Sequence, residues 1–425
     1  MRSRARTGTP HDDRTTIMSS ARQLWAGIDW STTHHDLAVI SPTEPVLQLR
    51  VPHTTDGLTQ LIDALAGVHR MWRRIPIGIE TNDGLLVTFL RQHGARIVPI
   101  PPQQAHAHRT RHGNPGRKSD RGDAVLLAHV VATAPCRPAP DITPAVRAIR
   151  TAVRAQRRTS HNARLHTSQL RAHLTTYFPA VAVAWPGRSA LQRPAPRLIL
   201  RIAPSPAAAR RLTVRRLERL LERSGRVRGV AGEAVRLHEV FHAPALHEHA
   251  EVTAASAAIT GALLDQIATA LDAGDRLQQH TNRLFDSHPH APIYTSFPGL
   301  GPHLAPRLLG ELGDDLTRFA TARALRAYAG AAPLTWASGS HTRIRHRRHT
   351  NTILAETGHL WAYASLRASP GARALYDQRK AAGDRHAAAL RRVYSRFLGQ
   401  LHHCLAHQIT YDEHAAWYGR DSDAS

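Results

Sequence analysis

Three apolar segments in close succession constrain this chain more than anything else in it. Residues 24–28, 35–40 and 46–51 read as strands, and only turn-like segments join them, which predicts a meander. Residues 58–68 then have helical spacing, 75–79 read as a strand and 84–92 as a helix. Residues 96–100 read as a last strand, ending at Pro101-Pro102. A meander followed by strand–helix alternation predicts an α/β domain on a mixed sheet.

That element order is the one found in a ribonuclease-H-like mixed sheet. Downstream, residues 109–117 (RTRHGNPGR) read as a basic, turn-rich loop entering a helix capped by Ser119 and continuing to about residue 132. The proline-rich stretch 135–144 marks a boundary. After it, apolar residues from Val146 to Leu174 recur at roughly helical intervals among Arg and His, which predicts a long basic helix. Segments 212–221 and 254–284 are the clearest helices before a last domain that begins near Ile293. The expected organisation is a basic flexible tail over 1–23 and a ribonuclease-H-like domain over 24–140. A long helical, coiled-coil-like region over 141–288, a mainly helical C-terminal domain over 289–412 and a flexible tail over 413–425 follow.

Charge narrows the partners. Lys plus Arg number 56 against 32 Asp plus Glu, a net charge of +24, and such a surplus attracts polyphosphate at long range. Only Lys118 and Lys380 are lysines, so compositional bias explains the choice of Arg, but it does not explain the surplus of cations. Nucleic acid is the first partner expected. Cys136 and Cys404 are too few and too far apart for a disulfide framework or a cysteine zinc site. No apolar run approaches the length of a membrane span, so a cytoplasmic protein is expected.

The candidate chemistry lies in four acids. Asp29 falls where the first strand ends, in GIDWS, and Glu80 where the fourth ends, in IGIETND; neighbouring strands would present both at one sheet edge. Asp120 and Asp123, in KSDRGDA, are three apart in the first turn of a helix and project from one face. Singly, each has an ordinary explanation as a turn residue, a solvated charge or a favourable helix N-terminal charge. Together they form a cluster whose members repel one another unless a hard cation is present. Mg²⁺ prefers oxygen ligands, and two such ions can clamp a phosphodiester in line.

GIDWSTTHHDLAVIS, IGIETNDGLLVTFLRQHGARIVPIPP, GRKSDRGDAVLLAHVV, SFPGLGPHLAPRLLGELGDDLTRF, ALRAYAGAAPLTWASGS and SPGARALYDQRKAAGDRHAAALR together resemble the insertion-sequence one-ten family of transposases. These are DEDD recombinases with a RuvC-like N-terminal domain and a serine-bearing C-terminal transposase domain. The likeness spans residues 24–414 and is weakest over 179–288. It implies that Asp29, Glu80, Asp120 and Asp123 are the four acidic positions and that Ser338, in WASGS, is the nucleophile. It also implies Mg²⁺, a covalent phosphoserine link to DNA, shared sites between protomers and a structured RNA encoded by the element. Many relatives carry Lys where this chain has Ser340, which makes Ser340 the competing nucleophile.

Other features are weaker. The run HTRIRHRRH after Ser338, with Arg343, Arg345, Arg347 and Arg348, is suited to gripping phosphates, although such runs are ordinarily solvated surface. PGLGP, with Gly299 and Gly301, resembles a helix-hairpin-helix turn that admits phosphate, and equally a plain helix connection. His34-His35, His106, His108 and His402-His403 match no zinc spacing. The long helices are expected to frame a dimer or tetramer. Three other readings remain: a RuvC-like nuclease using metal alone, a catalytically silent nucleic-acid-binding protein, and an actin-like sugar kinase. The last needs a second glycine-rich phosphate loop that the chain does not show.

Overall fold

Strands β1 (Trp25–Trp30), β2 (His34–Ile40) and β3 (Pro45–Pro52) are joined by three- and four-residue connections, too short for any crossover, and pair antiparallel. The next two strands, β4 (Pro76–Ile79) and β5 (Arg96–Pro99), return through helices α1 (Thr55–Val68) and α2 (Leu85–Gln92). They therefore add in parallel, giving the order β3-β2-β1-β4-β5. This is the ribonuclease-H-like mixed sheet expected from the element order. In the computed structural model, residues 23–112, 120–134, 136, 138–338, 341–346 and 351–418 are described. They fall into two compact units, Met1–Asp141 and Ile142–Ser425.

Strand alternation sends Ala26, Ile28, Leu37, Val39, Ile77 and Ile79 to one face, where they pack with Leu61, Leu65, Leu86 and Leu90 of α1 and α2. The other face is built differently. Gly78, Gly27 and Ala38 stand in register across β4, β1 and β2, forming a lane almost without side chains. Helix α4 (Asp120–Thr133) lies on that lane. A Cβ at Gly27 would sit 2.1 Å from the Ala124 carbonyl oxygen, and one at Gly78 would sit 2.8 Å from that of Leu127. These glycines are thus required by the close approach of a helix.

Between β5 and α4 runs α3 (Pro102–His112), which was not expected. Pro102 suits a first helical turn and Ala105 is buried with Val98, Ile100, Leu127 and Val130. The rest of α3 is polar, so no apolar stripe announced it, and Arg109 lies within the helix rather than in a loop. Ser119 is outside the described residues.

The second unit begins with α5 (Pro144–Tyr177), capped by Thr143. It continues through α6 (Ala180–Ala184), α7 (Pro194–Ile202), α8 (Pro206–Arg210), α9 (Val214–Arg223), α10 (Val230–His242) and α11 (Ala250–Asp286). Helices α5 and α11 pack along one another and join two cores. One holds Leu170, Leu174, Leu264 and Ile267 with α6–α10. The other holds Val146, Ile149 and Val153 with α12 (Ala291–Thr295), α13 (Ala305–Leu312), α14 (Ala322–Tyr328), α15 (Thr352–Ser365), α16 (Pro370–Ala381) and α17 (His386–His407). Helix α11 is long and apolar enough in composition to reach the range of a membrane span. It nevertheless carries Asp265, ion-paired to Arg201 of α7, and buries Thr260, Gln278 and Thr281.

A charged strut ties the second core to α5. Glu311 on α13 is buried, yet it accepts from Arg154 at 2.9 Å and from Asn351 at 2.8 Å. Burial works against its ionisation, and these partners outweigh burial and hold it below the ordinary carboxylate range. Asn351 in turn caps α15. A two-stranded ribbon, β6 (Pro333–Ser338) with β7 (His341–His346), lies between α14 and α15. The tail expected from residue 413 onward opens instead as helix α18 (Glu413–Trp417), because Glu413 accepts from Ser369 and from the Gly371 amide.

Candidate active site

The sheet register builds the site. Asp29 on β1 is opposite Asp36 on β2, and Asp36 is opposite Arg50 on β3, so the three side chains form a row on the face that carries α4. Glu80 follows the last residue of β4, the neighbour of β1 on its other side. Two residues before each of these acids stands a lane glycine: Gly27 before Asp29 and Gly78 before Glu80. The period of two therefore places both carboxylates where the first turn of α4 arrives. Asp29, Glu80, Asp120 and Asp123 line one open cleft of about 390 Å³, together with Trp30 and Arg109.

The cleft's electrostatics show the crowding. Asp29 is pushed up to about 6, first by burial and then by the charges of Asp123, Asp120, Glu80 and Asp36. Arg109, from α3, donates to Asp123 at 2.7 Å. Hard oxygen donors that converge from three segments around the raised Asp29 are the donor set for a divalent cation. The four residues therefore fit such an ion.

Three residues of this region, Asp36, Arg50 and His34, escaped the sequence reading. Asp36 is only 2% exposed and is held bidentately by Arg50, whose Nε donates to Oδ1 at 3.0 Å and whose Nη2 donates to Oδ2 at 2.8 Å. His34, given no role from its spacing, has Nε2 3.5 Å from Asp120 and 3.8 Å from Asp36. His34, Asp36 and Asp120 form a group compact enough for a metal among the described residues. The available signal was an acid inside an otherwise apolar strand, HHDLAVI. Three of the other histidines singled out in the sequence have partners elsewhere: His35 meets His53, His108 meets Thr133 and His402 meets the Phe319 carbonyl oxygen.

Ser338 ends β6, paired with His341 across the turn of the ribbon, in the second unit. In the backbone register Arg343 and Arg345 are opposite Trp336 and Leu334. Gly339, Ser340, Arg347 and Arg348 lie outside the described residues. Gly299 adopts φ +79°, and a Cβ there would come 2.7 Å from the Ser365 amide nitrogen, so its glycine is explained by packing on the end of α15. Around Gly301 there is open space.

Comparison with known proteins gives the same outline. A family model for transposases of the DEDD IS110 type matches residues 26–179, and one for transposases of the IS116/IS110/IS902 family matches residues 291–377. A mini-circle protein of Streptomyces coelicolor, assigned as a transposase for IS117, is 40% identical over 399 residues, covering 93% of this chain and 96% of its own. The 43.6 kDa protein of insertion element IS110 from the same species is 28% identical, over 87% of this chain and 91% of its own. The 42 kDa protein of insertion element IS900 from Mycobacterium paratuberculosis is 29% identical, over 90% of this chain and 95% of its own. With its ribonuclease-H-like sheet and its cleft of converging carboxylates, the chain belongs to the IS110 family of transposases.

Proposed function

We propose that this transposase cleaves and rejoins DNA strands with Ser338 as nucleophile and with Mg²⁺ held by Asp29, Glu80, Asp120 and Asp123. The observation that carries this reading is the convergence of those four carboxylates in one open cleft, where burial and mutual repulsion raise Asp29 to about 6. Mg²⁺ held there would stabilise the negative charge on the oxygens of the transferring phosphoryl group. The four carboxylates would supply its oxygen ligands, and Arg109 keeps Asp123 in place. The Ser338 hydroxyl gives its proton to solvent and forms a bond to phosphorus as the bond from phosphorus to the deoxyribose oxygen breaks, and that oxygen takes a proton from solvent to leave as a hydroxyl. The phosphodiester energy stays in the phosphoserine, so the reverse attack rejoins a strand without ATP. Arg343, Arg345, Arg347 and Arg348, with Gly301, serve as phosphate contacts in this reading, whereas Gly299 is accounted for by its packing on α15.

The test is a denaturing gel. Wild type and Ser338→Ala are incubated with the element's DNA ends, flanking RNA and Mg²⁺, and an adduct between protein and DNA is expected in the wild type alone. An adduct that persists in Ser338→Ala and is lost in Ser340→Ala moves the nucleophile to Ser340. Equal cleavage by both proteins with no adduct would make the chain a metal-only nuclease.

The same reading includes a structured RNA encoded by the element, favoured by the net charge of +24, and work in the cytoplasm as a dimer or tetramer. The outward side of α11 exposes Val252 and Ile259. Light scattering is expected to return at least twice the monomer mass, and a strict monomer with and without nucleic acid removes the assembly from the proposal.

A further inference from the structure

We infer that Asp36 and Arg50 form a positioning pair for Asp120, an inference that rests on the metal site proposed above. Asp36 stands beside Asp29 in the same row of the sheet and could be mistaken for a fifth ligand, but both of its oxygens are engaged by the Arg50 fork. A buried carboxylate needs such a partner, and a bidentate guanidinium fixes geometry as well as charge. The same Arg50 Nη2 reaches across to Asp120 Oδ2 at 3.2 Å.

Asp120 is the first residue of α4 and is more than half exposed, so its own helix does little to hold its side chain. A cation beside a helix N-terminus gains nothing from the helix dipole, which favours anions there. Arg50 stands in that place because Asp36 puts it there. The chain of contact runs from the strand pair Asp36 and Arg50, through one shared nitrogen, to a carboxylate from a different segment. His34 closes the same side, with Nε2 near Asp120 and with Nδ1 against the Ser31 and Thr33 hydroxyls. Arg50 thus sets the rotamer of Asp120 and the distance between the helix carboxylates and those of the sheet.

Positioning and simple charge competition predict opposite signs. If Arg50 only neutralised Asp120, removing it would tighten Mg²⁺ binding. If it positions Asp120, removal weakens binding, by about tenfold or more, as losses of groups that orient ligands do. Calorimetric titration of Mg²⁺ alone into the full-length wild type, Asp36→Asn, Arg50→Gln, Arg50→Lys and Asp120→Asn reads this directly, below the melting point of each protein. Weaker binding is expected in all four variants, with Arg50→Lys close to Arg50→Gln because a point charge cannot reproduce the fork. The Mg²⁺ concentration giving half-maximal cleavage should rise by a matching factor, with a smaller loss of rate at saturating Mg²⁺. Unchanged or tighter binding in Asp36→Asn and Arg50→Gln, beside weaker binding in Asp120→Asn, overturns the pair and leaves the metal site standing. A loss of cleavage equal at every Mg²⁺ concentration does the same. A wild type that binds no Mg²⁺ overturns both.

Discussion

Asparagine in place of Asp29 is expected to abolish strand cleavage, by roughly 10³-fold or more if the carboxylate is a ligand of the proposed metal site, and yet to make the metal-free protein more stable. The folded-state pKa of Asp29 is raised from 3.8 to about 6, so between those values the native state holds more protons than the unfolded chain. Stability from this group is therefore greatest near pH 4 and falls as pH rises through 6. Above pH 6 the wild type carries the whole penalty of an ionised Asp29 among its neighbours, at most about 3 kcal/mol for a shift of this size and less once solvent screening of a half-buried group is allowed for. Asp29→Asn lacks it. Thermal melts from pH 4 to 8 should show the two proteins converging at the acid end and the variant ahead above pH 6. Adding Mg²⁺ should reverse the order, because only the wild type keeps the full ligand set. Melting curves that stay parallel across the whole range would mean that neither burial nor its acidic neighbours raise Asp29.

The second large effect concerns a residue with no side chain. Gly27→Ala places a methyl group 2.1 Å from the Ala124 carbonyl oxygen and 2.5 Å from the Ala128 amide nitrogen, both backbone atoms of α4 that no rotamer change can move. The helix must lift from the sheet, at a cost of about 3 kcal/mol or more as an overpacked contact. Asp120 and Asp123 move with it, and a misplacement of about 1 Å at a reacting centre costs on the order of 10²-fold in rate. Gly67→Ala is the control: it lies in α1, where an added Cβ meets nothing within 4 Å, and it should gain up to about 1 kcal/mol with full activity. Denaturation curves and cleavage rates for the two variants check this together. Wild-type activity in Gly27→Ala would show that α4 does not need its close seat to place the acids.

What could be read from the sequence alone was whatever depends on near neighbours along the chain. Apolar runs of strand length separated by short turns dictated β1 to β3, since no helix fits into three or four connecting residues. Asp29 and Glu80 stood out because acids are disfavoured in or beside buried strands, and Asp120 with Asp123 because a spacing of three is one face of a helix turn. The glycines at positions 27 and 78 were visible as letters only. Their purpose depends on α4 crossing β1 and β4 at the height where those strands pair Gly27 with Gly78, a contact across nearly a hundred residues of chain. The opposition of Asp36 and Arg50 is likewise a matter of strand register, which no local pattern reports. Helix α3 was missed because its polar residues lack an apolar period, and tertiary contact through Ala105 rather than amphipathic pattern anchors it. Sequence by itself thus determined the strands, the sheet class and the four candidate acids, because each is written in local spacing. Tertiary structure decided how close the helix sits, which buried acid is engaged by an arginine and which carboxylates share a cleft, because those depend on where distant segments meet.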